Sequence, residues 1–370
     1  MANQKEDYGI QEIWTPPNGV EPEVDIVAVH GLGGRAVGSW TSKQSNVCWL
    51  NHPNFLPKYI KNARVLVWGY NASLSSLVGE QPSKDRIHHH AQTLVANLAA
   101  DRRLSGTAEK PIVFLCHSLG GIIVKRALSY AQTRTGHKVA HDYSIFTCTY
   151  AILFFGTPHN GSSKATWVNY MKKLGSSVTP RTLGMSKSDL VSALECESET
   201  LQNITDYFVP IMRNFRVFFF WEQEQTNFKV LGRDYIVAQD SAAPVHDDTE
   251  RAGIAADHRG MVKFETPTSQ GFRMVMDALS RYCEEAPLAI RQRHASAAHT
   301  LALERHREAT EALGRSFQTS GGVYRPPFRA GSSGLESFTV VDRSGTFRSI
   351  TGRGEENKGE SPFPADKDRT

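Results

Sequence analysis

Ser118 stands where an apolar, β-branched run, Pro111–Leu115, breaks into Cys116-His117-Ser118-Leu119-Gly120-Gly121. A helical pattern follows directly, from Ile122 to Tyr130. A serine at so sharp a strand-to-helix turn is held strained and exposed, its Oγ aimed out of the sheet, as an acyl-transfer nucleophile requires. The usual spacing of this elbow is G-x-S-x-G. Here Cys116 stands at the first glycine, and cysteine is small enough for a tight turn.

An acyl-transfer serine also needs a base, an acid that orients the base, and donors for the developing oxyanion. The backbone N–H after the nucleophile, that of Leu119, is the first donor. The second comes from a loop after an earlier strand. His30-Gly31-Leu32-Gly33-Gly34 is placed for that, with Leu32 N–H as donor and Gly31 and Gly33 giving close backbone approach. The segment lacks G-x-G-x-x-G and a Walker lysine, which argues against a nucleotide loop.

The base must be chosen from 14 histidines. The chain order Ser, acid, His points to His258, in Ala256-Asp257-His258-Arg259-Gly260, ahead of His246 in a Pro- and Asp-rich loop. His159 precedes every acid candidate and reads, with His30, His117 and Gly120, as support for the site loops. His88-His89-His90 look like metal ligands, but consecutive helical residues face different ways, so a solvated helix start is expected. For the acid, Glu222 ends the run Phe215–Trp221 and is the first choice. Asp240, after Asp234–Ala238, is the alternative; Glu224 and Asp257 rank lower.

These groups need a scaffold. Val24–His30, Arg64–Tyr70, Pro111–Leu115, Thr149–Phe155, Phe215–Trp221 and Asp234–Ala238 read as short, mostly buried strands. Ile87–Leu104, Leu119–Ala131 and Gln270–Cys283 read as helices between or after them. The alternation predicts an α/β fold with a mostly parallel central sheet and helices on both faces. Residues 1–20 are an expected N-terminal extension and 21–285 the α/β domain. Ser162–Pro210 forms a lid-like helical insertion, 286–313 a solvated helix, and 314–370 a mostly disordered tail in which Ser337–Val341 is a short strand.

Composition narrows the partners. A net charge of +4 over 370 residues gives no case for nucleic acid. Five scattered cysteines without C-x-x-C spacing suggest free thiols and no structural zinc. No apolar run approaches the roughly 20 residues that cross a bilayer, and MANQKEDYGI lacks an apolar signal core. A soluble, cytoplasmic protein without metal or cofactor is expected, its oligomeric state open.

Taken in order, VHGLGG (Val29–Gly34), Trp49, Phe55-Leu56-Pro57, RVLVWGYN (Arg64–Asn71), PIVFLCHSLGGIIVKRAL (Pro111–Leu128), FFGTPHNGS (Phe154–Ser162), FWE (Phe220–Glu222), QDSA (Gln239–Ala242) and Asp257-His258 resemble a known family. It is the serine active site-containing protein family of lipase-like α/β hydrolases, which includes GPI inositol-deacylase. Similar domains also begin fungal STAND-type signalling proteins, whose Walker motif has no counterpart after Cys283 here. The resemblance spans about Val24–Cys283. It implies the α/β-hydrolase fold, Ser118 as nucleophile and His258 as base, with the acid open between Glu222 and Asp240. It implies hydrolysis of carboxylic esters of lipid or lipid-like molecules, and peripheral contact with mitochondrial or endoplasmic reticulum membranes. The rival expectations are a vestigial hydrolase domain serving as a signalling module, and a protease or thioesterase on the same fold.

Overall fold

The computed structural model describes residues 8–72, 86–159, 173, 203–228, 232–320, 337–341 and 347–351. The chain divides into two compact units, Met1–Glu311 and Ala312–Thr370. Most of the lid-like insertion, together with Asn160, Gly161 and most of the tail, lies outside the described residues.

The first unit is built on β1 (Gly9–Trp14), β2 (Val24–Val29), β3 (Ala63–Gly69), β4 (Ile112–His117), β5 (Thr149–Phe155), β6 (Arg216–Glu222), the short β7 (Thr226–Phe228) and β8 (Gly232–Asp234), and β9 (Thr249–Ile254). Seven of these form one sheet in the order β1-β3-β2-β4-β5-β6-β9. Only β1, antiparallel to β3, departs from the parallel direction. Every residue of β2, β3, β4 and β5 is buried. That is why these strands are continuous apolar runs and not alternating ones.

The connecting helices are α1 (Arg86–Leu104), α2 (Leu119–Gln132), α3 (Ala140–Cys148), the single turn α4 (Gln239–Ala242) and α5 (Gln270–Ser320). Helices α1, α2 and α3 pack on one another. The start of α5 buries Phe272 among Trp49, Phe55 and Phe264, with ring centroids 5.2–6.1 Å apart. The order of strands and crossovers, with the elbow following β4, is that of the α/β-hydrolase fold. Among the described residues, no helix is long and apolar enough to cross a membrane.

Four elements differ from the sequence reading. The expected N-terminal extension supplies β1, the edge strand paired to β3. Asp234–Ala238 is not a strand of the central sheet. Asp234 ends a two-stranded ribbon of β7 and β8, and the last central strand is β9. Its sequence, TERAGI, is half-exposed along most of its length and carries little apolar signal. The closing helix does not stop at Cys283 but runs through Pro287 to Ser320. Proline costs one helical hydrogen bond, yet Ala286 and Ile290 on either side are fully buried. Arg293, in the segment read as a solvated helix, donates to the carbonyls of Thr149 and Asn214. In the second unit, Ser337–Val341 pairs antiparallel with Phe347–Thr351.

Candidate active site

The strand-to-helix turn at Ser118 is the strained element of the molecule. Ser118 caps α2 at φ 56°, ψ −124°, a left-handed conformation rare for a residue with a side chain. The turn is fixed from three directions. Ser118 N–H donates to Phe155 O at 2.9 Å, Thr157 Oγ1 donates to Ser118 O at 3.1 Å, and Gly121 N–H donates to the same oxygen at 3.1 Å. Cys116 remains an ordinary buried strand residue, in register with Val29 on one side and Phe154 on the other. The turn begins after it, so no glycine is needed there. Glycine is required at position 120 instead, where an added Cβ would lie 2.6 Å from His30 O. This lets the N-terminus of α2 sit directly on the end of β2.

The glycine loop after β2 lies against the serine. A Cβ on Gly31 would fall 2.7 Å from that of Ser118. Gly33 N–H is taken by Ala72 O and Gly34 N–H by Gly31 O, while among the described residues Leu32 N–H has no backbone acceptor. Leu119 is the first residue of α2, where helical N–H groups lack intrahelical partners and the helix dipole favours negative charge. His30 anchors the loop. Its Nδ1 donates to Gly31 O at 3.0 Å, its ring stacks on Tyr70 at 4.4 Å, and Tyr70 Oη donates to His30 O at 2.9 Å. The elbow is strained as expected but not exposed. Ser118 is 1% accessible, with Gly31 packed against it.

His258 and Glu222 come together although separated by β9 in sequence. His258 Nδ1 lies 3.1 Å from Glu222 Oε2, and both side chains are fully buried. The contact is at ion-pair distance without the alignment of a good hydrogen bond. Such bonds commonly tighten when substrate binds. The other carboxylate oxygen, Oε1, accepts from Val237 N–H at 2.9 Å. That is the use of the segment read as a strand from sequence: it holds the Glu222 carboxylate. Asp240 is exposed on α4, where its carboxylate accepts the Ser241 N–H. Asp257 caps its own turn by accepting Gly260 N–H at 2.7 Å, and Glu224 is exposed.

Two links join the histidine to the serine. His117, the neighbour of Ser118, donates through Nε2 to His258 O at 2.8 Å, with the two rings 5.0 Å apart. Burial first, and then the facing His258, hold His117 well below the usual histidine range, so it stays neutral. The second link is β5. Phe155 O holds the serine, and Gly156, at φ +56°, clears the space for His258; a Cβ there would sit 2.9 Å from the imidazole. Gly156 and Thr157 were in plain view in FFGTPHNGS, but their partners lie too far along the chain for spacing to suggest them.

The remaining histidines take other places. The His159 ring is buried edge-on to Phe154 and Phe219, at 4.7 and 4.6 Å, while the backbone N–H of His159 donates to Ser241 O. Burial, with the nearby Lys125 charge, holds it neutral. His246 lies near Phe219, 6.4 Å between rings. His88 and His90 diverge, the first accepting from Arg126 Nε and the second tilted on Tyr70. No metal-binding cluster occurs among the described residues.

A family described as "Putative serine esterase (DUF676)" matches residues 26–229, more than half of the chain. The chain belongs to this serine esterase family. The match runs from Ile26 in β2 past Glu222 and ends before His258. Curated relatives include Protein SERAC1 of Homo sapiens, 26% identical over 236 residues, and of Danio rerio, 27% identical over 240. Each alignment covers 60% of this chain and 33% of the relative, so the chain spans about a third of the length of the curated relatives it matches. Solved structures with likeness to it include the Vlm2 thioesterase domain, at 14% identity and TM-score 0.35, covering 74% of this chain and 98% of that one. A structure described under the lipolytic enzymes LipS and LipT has 11% identity and TM-score 0.38, covering 74% and 100%. At these scores the fold rests on the strand order and not on the likeness. Family and fold together support ester hydrolysis in general terms.

Proposed function

We propose that the chain is a serine esterase that works through an acyl-enzyme on Ser118. The observation that carries this reading is a strained, helix-capping serine whose neighbour His117 donates to the carbonyl of His258, itself in a fully buried pair with Glu222 at 3.1 Å. Ser118 Oγ attacks the ester carbonyl as His258 Nε2 takes its proton. Glu222, against Nδ1, fixes the tautomer and stabilises the imidazolium. The Leu32 and Leu119 N–H groups receive the oxyanion, each such donor being worth about 3–4 kcal/mol of transition-state stabilisation. The tetrahedral intermediate collapses, and the alcohol leaves with the proton from His258. Water, deprotonated by the same imidazole, then attacks the acyl-enzyme and frees the acid and Ser118. No cofactor enters this scheme. Esters of lipid or lipid-like molecules are the expected class, supported by the resemblance to lipase-like members.

A fluorophosphonate probe tests the reading directly. Wild-type protein should be labelled and Ser118→Ala should not. The variant should lose at least ~10³-fold in esterase activity with an unchanged melting temperature. Folded wild type that takes no label would sink the enzyme reading and favour a signalling module.

A further inference from the structure

Beside the glycine loop lies a cavity of about 250 Å³ whose wall runs from Gly31–Gly34 and His117 to Arg259 and Lys263. Arg35, Gly38, Ser39, Lys43 and Val262 complete its lining, and among the described residues no carboxylate contributes to it. A chain with a net charge of only +4 therefore gathers four cations around one small opening. Arg259 and Lys263 are half-buried in the wall; Arg35 and Lys43 are exposed at the rim.

The cations bear on one another. Burial, and then the Lys43 and Arg259 charges, depress the pKa of Lys263. The carboxylates that favour its charged form are engaged in turns: Asp257 with Gly260 N–H, Glu265 with Ser42 and Ser45. Lys263 is held in place by donating to Gly38 O at 3.0 Å. The arrangement carries a cost in like-charge repulsion that a bound anion would relieve. At about 250 Å³ the cavity is smaller than the roughly 300–1,000 Å³ of a drug-sized site. It suits one compact, highly charged substituent better than a whole ligand.

Its position says what the substituent belongs to. Gly31 and His117 line the cavity and also touch the catalytic side, Gly31 against Ser118 and His117 on the His258 carbonyl. We propose that this cavity is an anion subsite that selects esters bearing a phosphate monoester group close to the scissile bond. Four cations favour a dianion over a single carboxylate. The Arg259 guanidinium gives paired donors to phosphate oxygens, and the lysines act as point charges. The anion subsite stands on the cavity itself; only its link to an ester rests on the function proposed above.

The test uses full-length Ser118→Ala, so that binding is read without turnover. Inorganic phosphate titrated calorimetrically should bind, and Arg259→Ala/Lys263→Ala in that background should weaken it at least ~10-fold. Lys43→Ala, at an exposed rim position, should weaken it less, and it guards against a double variant that fails to fold. With active enzyme, the ratio of kcat/KM for 2-acetoxyethyl phosphate over 2-acetoxyethanol should fall at least ~10-fold in the double variant. Flotation with vesicles of phosphatidylcholine, with and without phosphatidic acid, separates the sources. Binding to phosphatidic acid that the double variant loses assigns the phosphate to a lipid headgroup; binding of the soluble probes alone assigns it to a soluble ester. Phosphate affinity equal in all folded variants overturns the subsite, even if fluorophosphonate still labels Ser118.

Discussion

The two ends of the central sheet both bury charge, and they treat it in opposite ways. At the amino end, Asp25 at the start of β2 is surrounded. Its carboxylate accepts from Arg64 Nε at 2.9 Å, Arg102 Nε at 2.9 Å and Thr107 Oγ1 at 3.0 Å. Arg64 reaches on to Ser105 and Asp101. Burial works against the Arg64 cation, but the bonds and charge of Asp25 more than offset it and its pKa is raised. At the carboxyl end of the same strands, Ser118 sits at positive φ, Gly156 leaves room for an imidazole, and Glu222 meets His258 without ideal alignment. The first cluster binds one carboxylate to two arginines and a threonine and serves as a clamp. The second keeps strain and incomplete alignment, as expected of the proposed esterase site, which would bind the transition state more tightly than the substrate.

If that contrast is right, substitutions at the two ends should separate activity from stability. The largest effect is expected at the carboxyl end. Glu222→Ala should lower kcat on the order of 10²–10³-fold, while Asp240→Ala stays near wild type. A silent Glu222→Ala with an impaired Asp240→Ala would reverse the assignment of the acid. At the amino end, Asp25→Ala leaves two arginines buried without their carboxylate and should cost about 3–5 kcal/mol in chemical denaturation. Its activity per folded molecule should change little. A variant that kept its stability and lost its activity would show that the clamp and the site are one system.

The same contrast explains what could be read from sequence. Strands β2, β3, β4 and β5 announce themselves because burial on both faces demands unbroken apolar runs. The elbow and the glycine loop after β2 are legible because each is a local turn whose residue types follow from its geometry. What escaped depends on distant partners or on weak patterns. Strand β1 and strand β9 sit at the sheet edges and are half polar, so neither shows the period of a buried strand. Val237, which donates to Glu222, belongs to a segment apolar enough to pass for a strand. The choice of Glu222 over Asp240 could be ranked but not closed, because proximity to His258 is created only when β9 is laid beside β6. The basic cavity was missed for a related reason. Arg35 and Lys43 follow one motif and Arg259 and Lys263 another, and only the fold brings them around one opening.

The smallest predicted effect concerns the neutral histidines at the carboxyl end. Burial depresses His117 and His159 well below the ordinary histidine value of about 6.5, so the folded state excludes protons that the unfolded chain accepts. The unfolded state then binds more protons below its own pKa. The stability these residues support is complete above that value and is lost as pH falls below it. The slope approaches about 1.4 kcal/mol per pH unit for each histidine. Chemical denaturation between pH 7.5 and 5 should therefore show falling stability in wild type and a shallower fall in His117→Gln. Glutamine keeps a donor for the His258 carbonyl but cannot titrate. An equal slope in both proteins would mean that His117 is not held neutral by the fold, and that the carboxyl end is less tightly closed over its histidines than their burial implies.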